Sequence, residues 1–208
     1  MRMIALILVS ILHSSSWSQF AIGPEFSLLN QKDPTPIAVG GGLRALYPIG
    51  DKWSISISAE MTLPEHEEVN GTFGDPTGRQ LAAGVPHQYR IGENLHQRIF
   101  AVLGAEWRSK GNSFADKNCL AVGLGAGLLQ NRFETDHMAT YFQTGETRHI
   151  AYTSIDRTFI LLPYAGWRAP LLNGEFFADA GAILPSLRRL TEDLLPILRT
   201  GMIWQLGR

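Results

Sequence analysis

The sequence predicts an all-β protein, a single antiparallel transmembrane β-barrel behind a cleaved signal peptide. Three observations carry that prediction. Apolar residues recur at every second position along most of the chain. The 208 residues include 21 glycines and only 18% charged residues, where ordinary globular chains carry about 25%. Beyond the first dozen residues, no apolar run approaches the roughly 20 residues that a spanning helix needs.

Composition excludes other classes. Lys plus Arg is 18 and Asp plus Glu is 19, so the formal charge is 18 − 19 = −1. That balance gives no basic patch for nucleic acid, and a chain that is 45% hydrophobic is too apolar for disorder. Cys119 is the one cysteine. It cannot form an internal disulfide or a CxxC metal cluster, so it reads as a small reduced strand residue. Neither a metal nor a cofactor is expected.

The elements follow in order. Met1-Arg2, the apolar run Met3 to Leu12 and a polar stretch ending in Ser16, Trp17 and Ser18 form a signal-peptide pattern. Ser16 and Ser18 fit positions −3 and −1 of the cleavage site. The chain then divides into a signal peptide, 1–18, and one barrel domain, 19–208. No cysteine follows the apolar run to take a lipid anchor.

Strands are expected over 20–29, 36–47, 53–63, 80–91, 98–108, 118–130, 149–168, 175–186 and 194–207, with a weaker one near 138–145. That makes ten. Eight is the alternative, because bacterial barrels keep an even number. In 53–63, Trp53, Ile55, Ile57, Ala59 and Met61 oppose Ser54, Ser56, Ser58 and Glu60. In 98–108, Ile99, Ala101, Leu103, Ala105 and Trp107 share a face. In 118–130, Leu120, Val122, Leu124, Ala126 and Leu128 oppose Gly123, Gly125 and Gly127. Phe176, Ala178, Ala180, Ala182 and Leu184 alternate likewise, as do Leu198, Thr200, Met202, Trp204 and Leu206. One face is aliphatic and aromatic. The other carries Gly, Ser and single charges, as a crowded lumen would.

Tight periplasmic turns are expected at Tyr47–Trp53, Ile91–Ile99 and Trp167–Phe176. Tyr47, Trp53, Trp167, Phe176 and Trp204 then form an aromatic girdle at the periplasmic interface. The inward face holds Glu25, Arg44, Glu60, Arg90, Arg98, Glu106, Arg108, Asp179 and Arg199. These are expected to pair across the lumen, because an unpaired buried charge is costly. A charged ion or solute pathway is the alternative reading of the same residues.

Some groups fall outside this scheme. Asp136-His137 and Arg148-His149 lie in an outer segment and suggest a rim Asp/His site that activates water. Neighbours on a strand face opposite ways, however, and neither G-x-S-x-G nor H-E-x-x-H occurs. These residues read as solvated, His137→Ala is expected to change nothing, and the protein is expected not to be an enzyme. Glu65-His66-Glu67-Glu68 reads as an acidic outer loop, and Arg188 and Arg189 as loop residues able to meet lipid phosphates. The rival readings are a barrel enzyme acting on lipid or peptide, and a soluble secreted β-barrel.

Two segments carry a resemblance. Leu81-Ala-Ala-Gly-Val-Pro86-His-Gln-Tyr-Arg90 followed by Arg98-Ile-Phe-Ala-Val-Leu-Gly104-Ala resembles the small outer-membrane β-barrel (porin-like) family common in Bacteroidota. Leu162-Pro163-Tyr-Ala-Gly-Trp-Arg168 followed by Phe176-Phe-Ala-Asp-Ala180-Gly181-Ala repeats the pattern. The Ser18-Gln19 junction and the ending Trp204-Gln-Leu-Gly-Arg are similar to that group as well. The chain departs from it by finishing on Arg208, where such barrels finish on an aromatic residue. The resemblance implies an outer-membrane location without catalytic residues. It also implies outer-membrane lipids, lipopolysaccharide and the barrel-insertion machinery as partners, with a small solute or envelope protein as a further one.

Overall fold

The computed structural model describes residues 20–31, 36–73, 87–111, 118–171, 174–185 and 194–206, and none of these is helical. The expected signal peptide and Arg188-Arg189 lie outside them. The strands are β1 (Ala21–Asn30), β2 (Ile37–Pro48), β3 (Trp53–Thr62), β4 (Glu65–Phe73), β5 (Gln88–Arg108), β6 (Cys119–Tyr141), β7 (Thr147–Leu171), β8 (Gly174–Ile183) and β9 (Leu195–Gln205).

All neighbours pair antiparallel, in the order β3-β2-β1-β9-β8-β7-β6-β5-β4, and a further β3–β5 pairing closes the ring. β3 and β4 both pair with β5, one above the other. They are a single strand interrupted at Leu63-Pro64, where proline has no N–H to give to a ladder. Nine strands therefore make a ring of eight positions.

The expected count of ten gives way to eight at two places. Ile91–Ile99 is not a turn. It lies inside β5, which pairs with β6 without interruption from Gln88↔Tyr141 to Arg108↔Ala121. Gly92, Glu93 and Asn94 have turn chemistry, but ladders on both sides override it. The weak strand near 138–145 is the end of β6 and a turn whose Gly145 has φ +68°. The Glu65–Glu68 loop is likewise a correction, because these residues open β4.

The termini of the described barrel, Phe20 and Leu206, and the turns sort to two ends of the ring. Phe20 and Leu206 meet where the Leu206 amide donates to the Phe20 carbonyl, at 2.8 Å. The β2–β3 turn, with Gly50 at φ +86°, is at the same end. At the opposite end β4, the first half of β5, the second half of β6 and the first half of β7 rise beyond the ring as a four-stranded sheet.

The outer face is apolar and exposed, with Phe26, Leu43, Ile57, Leu103, Leu124, Phe159 and Leu198 all more than half accessible. On β5 this band runs from Ile99 to Trp107, roughly 27 Å along the strand at about 3.4 Å per residue.

The interior is tiered. Ala21, Leu46, Phe177 and Ile203 pack at the end that holds the termini. Leu29, Phe100, Leu129, Ile160, Leu162, Ile183 and Ile197 pack at the other. Most of the buried charges lie between, while Glu175 stands beside Ile203 and Arg168 beside Phe177. The inner face is thus not uniformly polar, as alternation alone implies. An apolar layer closes one end of the charged tier, and at the other end apolar and charged side chains interleave.

Candidate functional site

The charged tier is built from parity. Inward positions place Glu25 on β1, Arg44 on β2, Glu60 on β3, Glu106 and Arg108 on β5, Asp179 on β8 and Arg199 on β9, each at most 4% exposed. Small inward residues leave room for these long side chains. Ser54, Ser56 and Ser58 line β3, and a side chain at Gly123 would meet the Tyr164 ring.

Glu106 is the hub. It accepts hydrogen bonds from Arg44 Nη2 at 2.8 Å, Arg108 Nε at 2.9 Å, Arg168 Nη2 at 2.6 Å and the Tyr164 hydroxyl at 3.2 Å. Asp179 takes Arg44 Nη1 and Arg168 Nη1, each at 2.5 Å. Glu175 takes both terminal nitrogens of Arg108 at 2.8 Å, the bidentate geometry that suits guanidinium and carboxylate. The Arg44 guanidinium lies 4.8 Å from the Phe177 ring centre and 5.2 Å from that of Tyr164.

Glu25 and Glu60 differ from the rest. Their carboxylates are buried without a hydrogen bond. They face Arg199 Nη1 at 4.0 and 3.5 Å.

Seven of the nine expected lumen charges meet in this tier. Arg90 and Arg98 do not. Arg90 stands in the rising sheet, stacked 5.0 Å from the Phe73 ring. Arg98 is half-buried where the ring meets that sheet. A turn at Ile91–Ile99 would set both at the other end of the ring, and the unbroken β5 moves them here. Arg168 and Glu175 escape the sequence reading because it bends the chain at Trp167–Phe176, and Tyr164, within the expected strand 149–168, carries no charge to single it out. In fact the ladder reaches Leu171↔Gly174. Counting β7 by twos from Ile160 leads to Tyr164 and Arg168.

The five expected girdle residues face outward near the end that holds the termini. Trp53, Trp167 and Trp204 are 53%, 43% and 37% exposed, and Tyr47 and Phe176 partly so. Trp53 pairs directly with Trp107, which belongs to the same group by position.

In the rising sheet the Asp136-His137 step divides between faces. Asp136 faces outward and meets His149 Nε2 at 2.6 Å. His137 faces inward and is 4% exposed, so it is not a solvated loop residue. Burial and the nearby Arg90 push its pKa below the usual histidine value. Among the described residues, no group of three or more His, Cys, Asp or Glu is placed to hold a metal.

The fold defines the class as a small closed antiparallel β-barrel. Neisserial surface protein A shares it, with a TM-score of 0.51 at 12% identity over 91% of this chain and 98% of that one. Two further structures align less closely. Ail, the attachment invasion locus protein of Yersinia pestis, in complex with the heparin analogue sucrose octasulfate, gives a TM-score of 0.47 at 15% identity, over 89% of this chain and 95% of that one. The N-terminal β-barrel domain of Pseudomonas aeruginosa OprF gives 0.42 at 11%, over 88% and 97%. No protein-family model and no curated protein matches the sequence.

Proposed function

We propose that this chain is an integral outer-membrane β-barrel protein, exported through residues 1–18, with a structural or binding role and a closed lumen. The observation that carries the reading is the inversion of polarity. The exposed band is apolar while arginines and carboxylates are buried inside. A water-soluble barrel would place them the other way round, whereas lipid demands this arrangement. Lipids and lipopolysaccharide of that membrane would contact the band, and the barrel-insertion machinery would place it. The Leu162–Ala182 hairpin supports kinship with the Bacteroidota barrels.

The apolar tiers support a plug over a conduit, and the absence of the G-x-S-x-G and H-E-x-x-H motifs supports a non-enzymatic role. The protein should leave cell envelopes only with detergent and change its gel mobility on boiling. Solubility without detergent would overturn the reading. In planar bilayers no unit conductance is expected, and steady channel events would overturn the closed lumen.

A further inference from the structure

A cavity of about 270 Å³ lies against the inner face of the rising sheet, where His137, Asn94, Arg90, Phe73, Phe133 and Tyr152 line it. A directed chain of hydrogen bonds runs beneath it. The Thr135 hydroxyl donates to Asn94 Oδ1 at 2.6 Å. Asn94 Nδ2 donates to Glu67 Oε2 at 3.2 Å. Glu67 can only accept, which fixes the sense of the chain. Thr135 has given its one proton to Asn94, so His137 Nδ1, 3.0 Å from the Thr135 oxygen, must be the protonated nitrogen. In the neutral ring Nε2 is then a bare acceptor. It is buried and has no partner, a condition that costs free energy until a donor arrives.

The surroundings narrow the donor. An anion is opposed by the Nε2 lone pair and by the Glu67 and Glu68 carboxylates at the rim. A cation is opposed by Arg90. Phe133 and Tyr152 form an aromatic wall, with ring centres 6.0 Å apart. Aromatic faces beside a few fixed polar groups are the usual way to hold a ligand with an apolar face and hydroxyl edges.

We infer that this cavity binds one neutral sugar unit, with a ring hydroxyl donating to His137 Nε2 and the sugar face against Phe133 and Tyr152. His137 is the contact residue, and Thr135 and Asn94 are positioning residues that hold its tautomer. The site goes beyond the membrane reading. It is tested in micelles, where location plays no part, so the two can fail separately.

The full chain, folded in detergent with 15N-labelled histidine, is titrated with methyl α-glucoside and methyl α-galactoside. A second arm uses the lipid-free core oligosaccharide of lipopolysaccharide. Saturable movement of the His137 Nε2 resonance is expected. Binding should weaken about tenfold in His137→Phe, the loss of one hydrogen bond. Thr135→Val should also weaken binding and shift the His137 tautomer signal, and it keeps the test open if His137→Phe does not fold. Binding by the core oligosaccharide alone assigns the sugar to the envelope, and binding by the simple glycosides assigns a free sugar. No saturable binding in either arm, or binding untouched by the foldable variants, would overturn the inference.

Discussion

Arg168 holds Glu106 from two nitrogens, Nη2 to Oε2 at 2.6 Å and Nε to Oε1 at 3.2 Å. Both side chains are fully buried. Arg44, Arg108 and Tyr164 converge on the same carboxylate. Removing one member of such a cluster leaves the others charged and unpaired, typically at a cost of about 3–5 kcal/mol.

Glu106→Gln should therefore lower the unfolding free energy by about 3–5 kcal/mol, read as a fall in the urea midpoint of the heat-shift transition. Glu60→Gln is the control. The Glu60 carboxylate lies 3.5 Å from Arg199 without a hydrogen bond, and Glu25 and Asp179 face the same guanidinium, so Arg199 stays compensated and the loss should cost only about 1 kcal/mol. Equal losses from the two variants would show that Glu106 is not the hub.

Gly123→Ala places a methyl group in the space held by the Tyr164 ring. The Tyr164 hydroxyl accepts from Arg44 and donates to Glu106, so displacing the ring loosens the hub. Overpacking of this kind costs about 1–3 kcal/mol. Gly123→Ala with Tyr164→Phe should recover little of it, because the ring carbons Cζ and Cε1 crowd the methyl as well as the hydroxyl does, while Gly123→Ala with Tyr164→Ala should recover more. Thermal melting of the folded form checks both.

The pH dependence of the rising sheet has a definite sign. His137 titrates below its unfolded value of about 6.5. The groups acting on it are Arg90, which lowers its pKa, Asp136, which raises it, and His149, which lowers it. The unfolded chain takes up its proton first as pH falls. The His137 contribution is thus fully present above about 6.5 and declines as pH drops through that value toward the folded one. The protection factors of β6 amides, taken relative to intrinsic exchange at each pH, should fall between pH 7 and pH 5, and His137→Phe should flatten that dependence. An unchanged slope would remove His137 as its source.

Trp53 and Trp107 are cross-strand partners at the end that holds the termini. In vesicles of lipids brominated at shallow positions their fluorescence should be quenched more than by deep bromines. The difference should shrink in the double variant Trp53→Phe, Trp107→Phe. Equal quenching from both depths would refute an interfacial position.

Much of this was legible from parity. The faces of β3, β6 and β9, the outward aromatics and seven of the lumen charges follow from counting by twos. The failures share a cause. Gly92-Glu93-Asn94 has the composition of a turn, and only its pairing with β4 and β6 keeps it extended. Composition carries no trace of a partner strand forty residues away. The same limit hid Arg168 and Glu175, which sit opposite neighbours across β7 and β8 and were assigned to a hairpin bend. The orphan nitrogen of His137 depends on a proton's direction through Thr135 and Asn94, residues that are adjacent only after β5 and β6 have paired.

The buried charges also set how the ring can close. Glu25 and Arg199 belong to the first and last strands, and Asp179 on β8 reaches Arg44 on β2 from across the lumen. A slip of one residue at the β1–β9 seam would turn Arg199 toward the outside. A slip of two would keep it inside but carry it a full repeat away from Glu25 and Glu60. The polar tier therefore acts as a key to the seam, accepting one stagger of the strands and with it one barrel diameter.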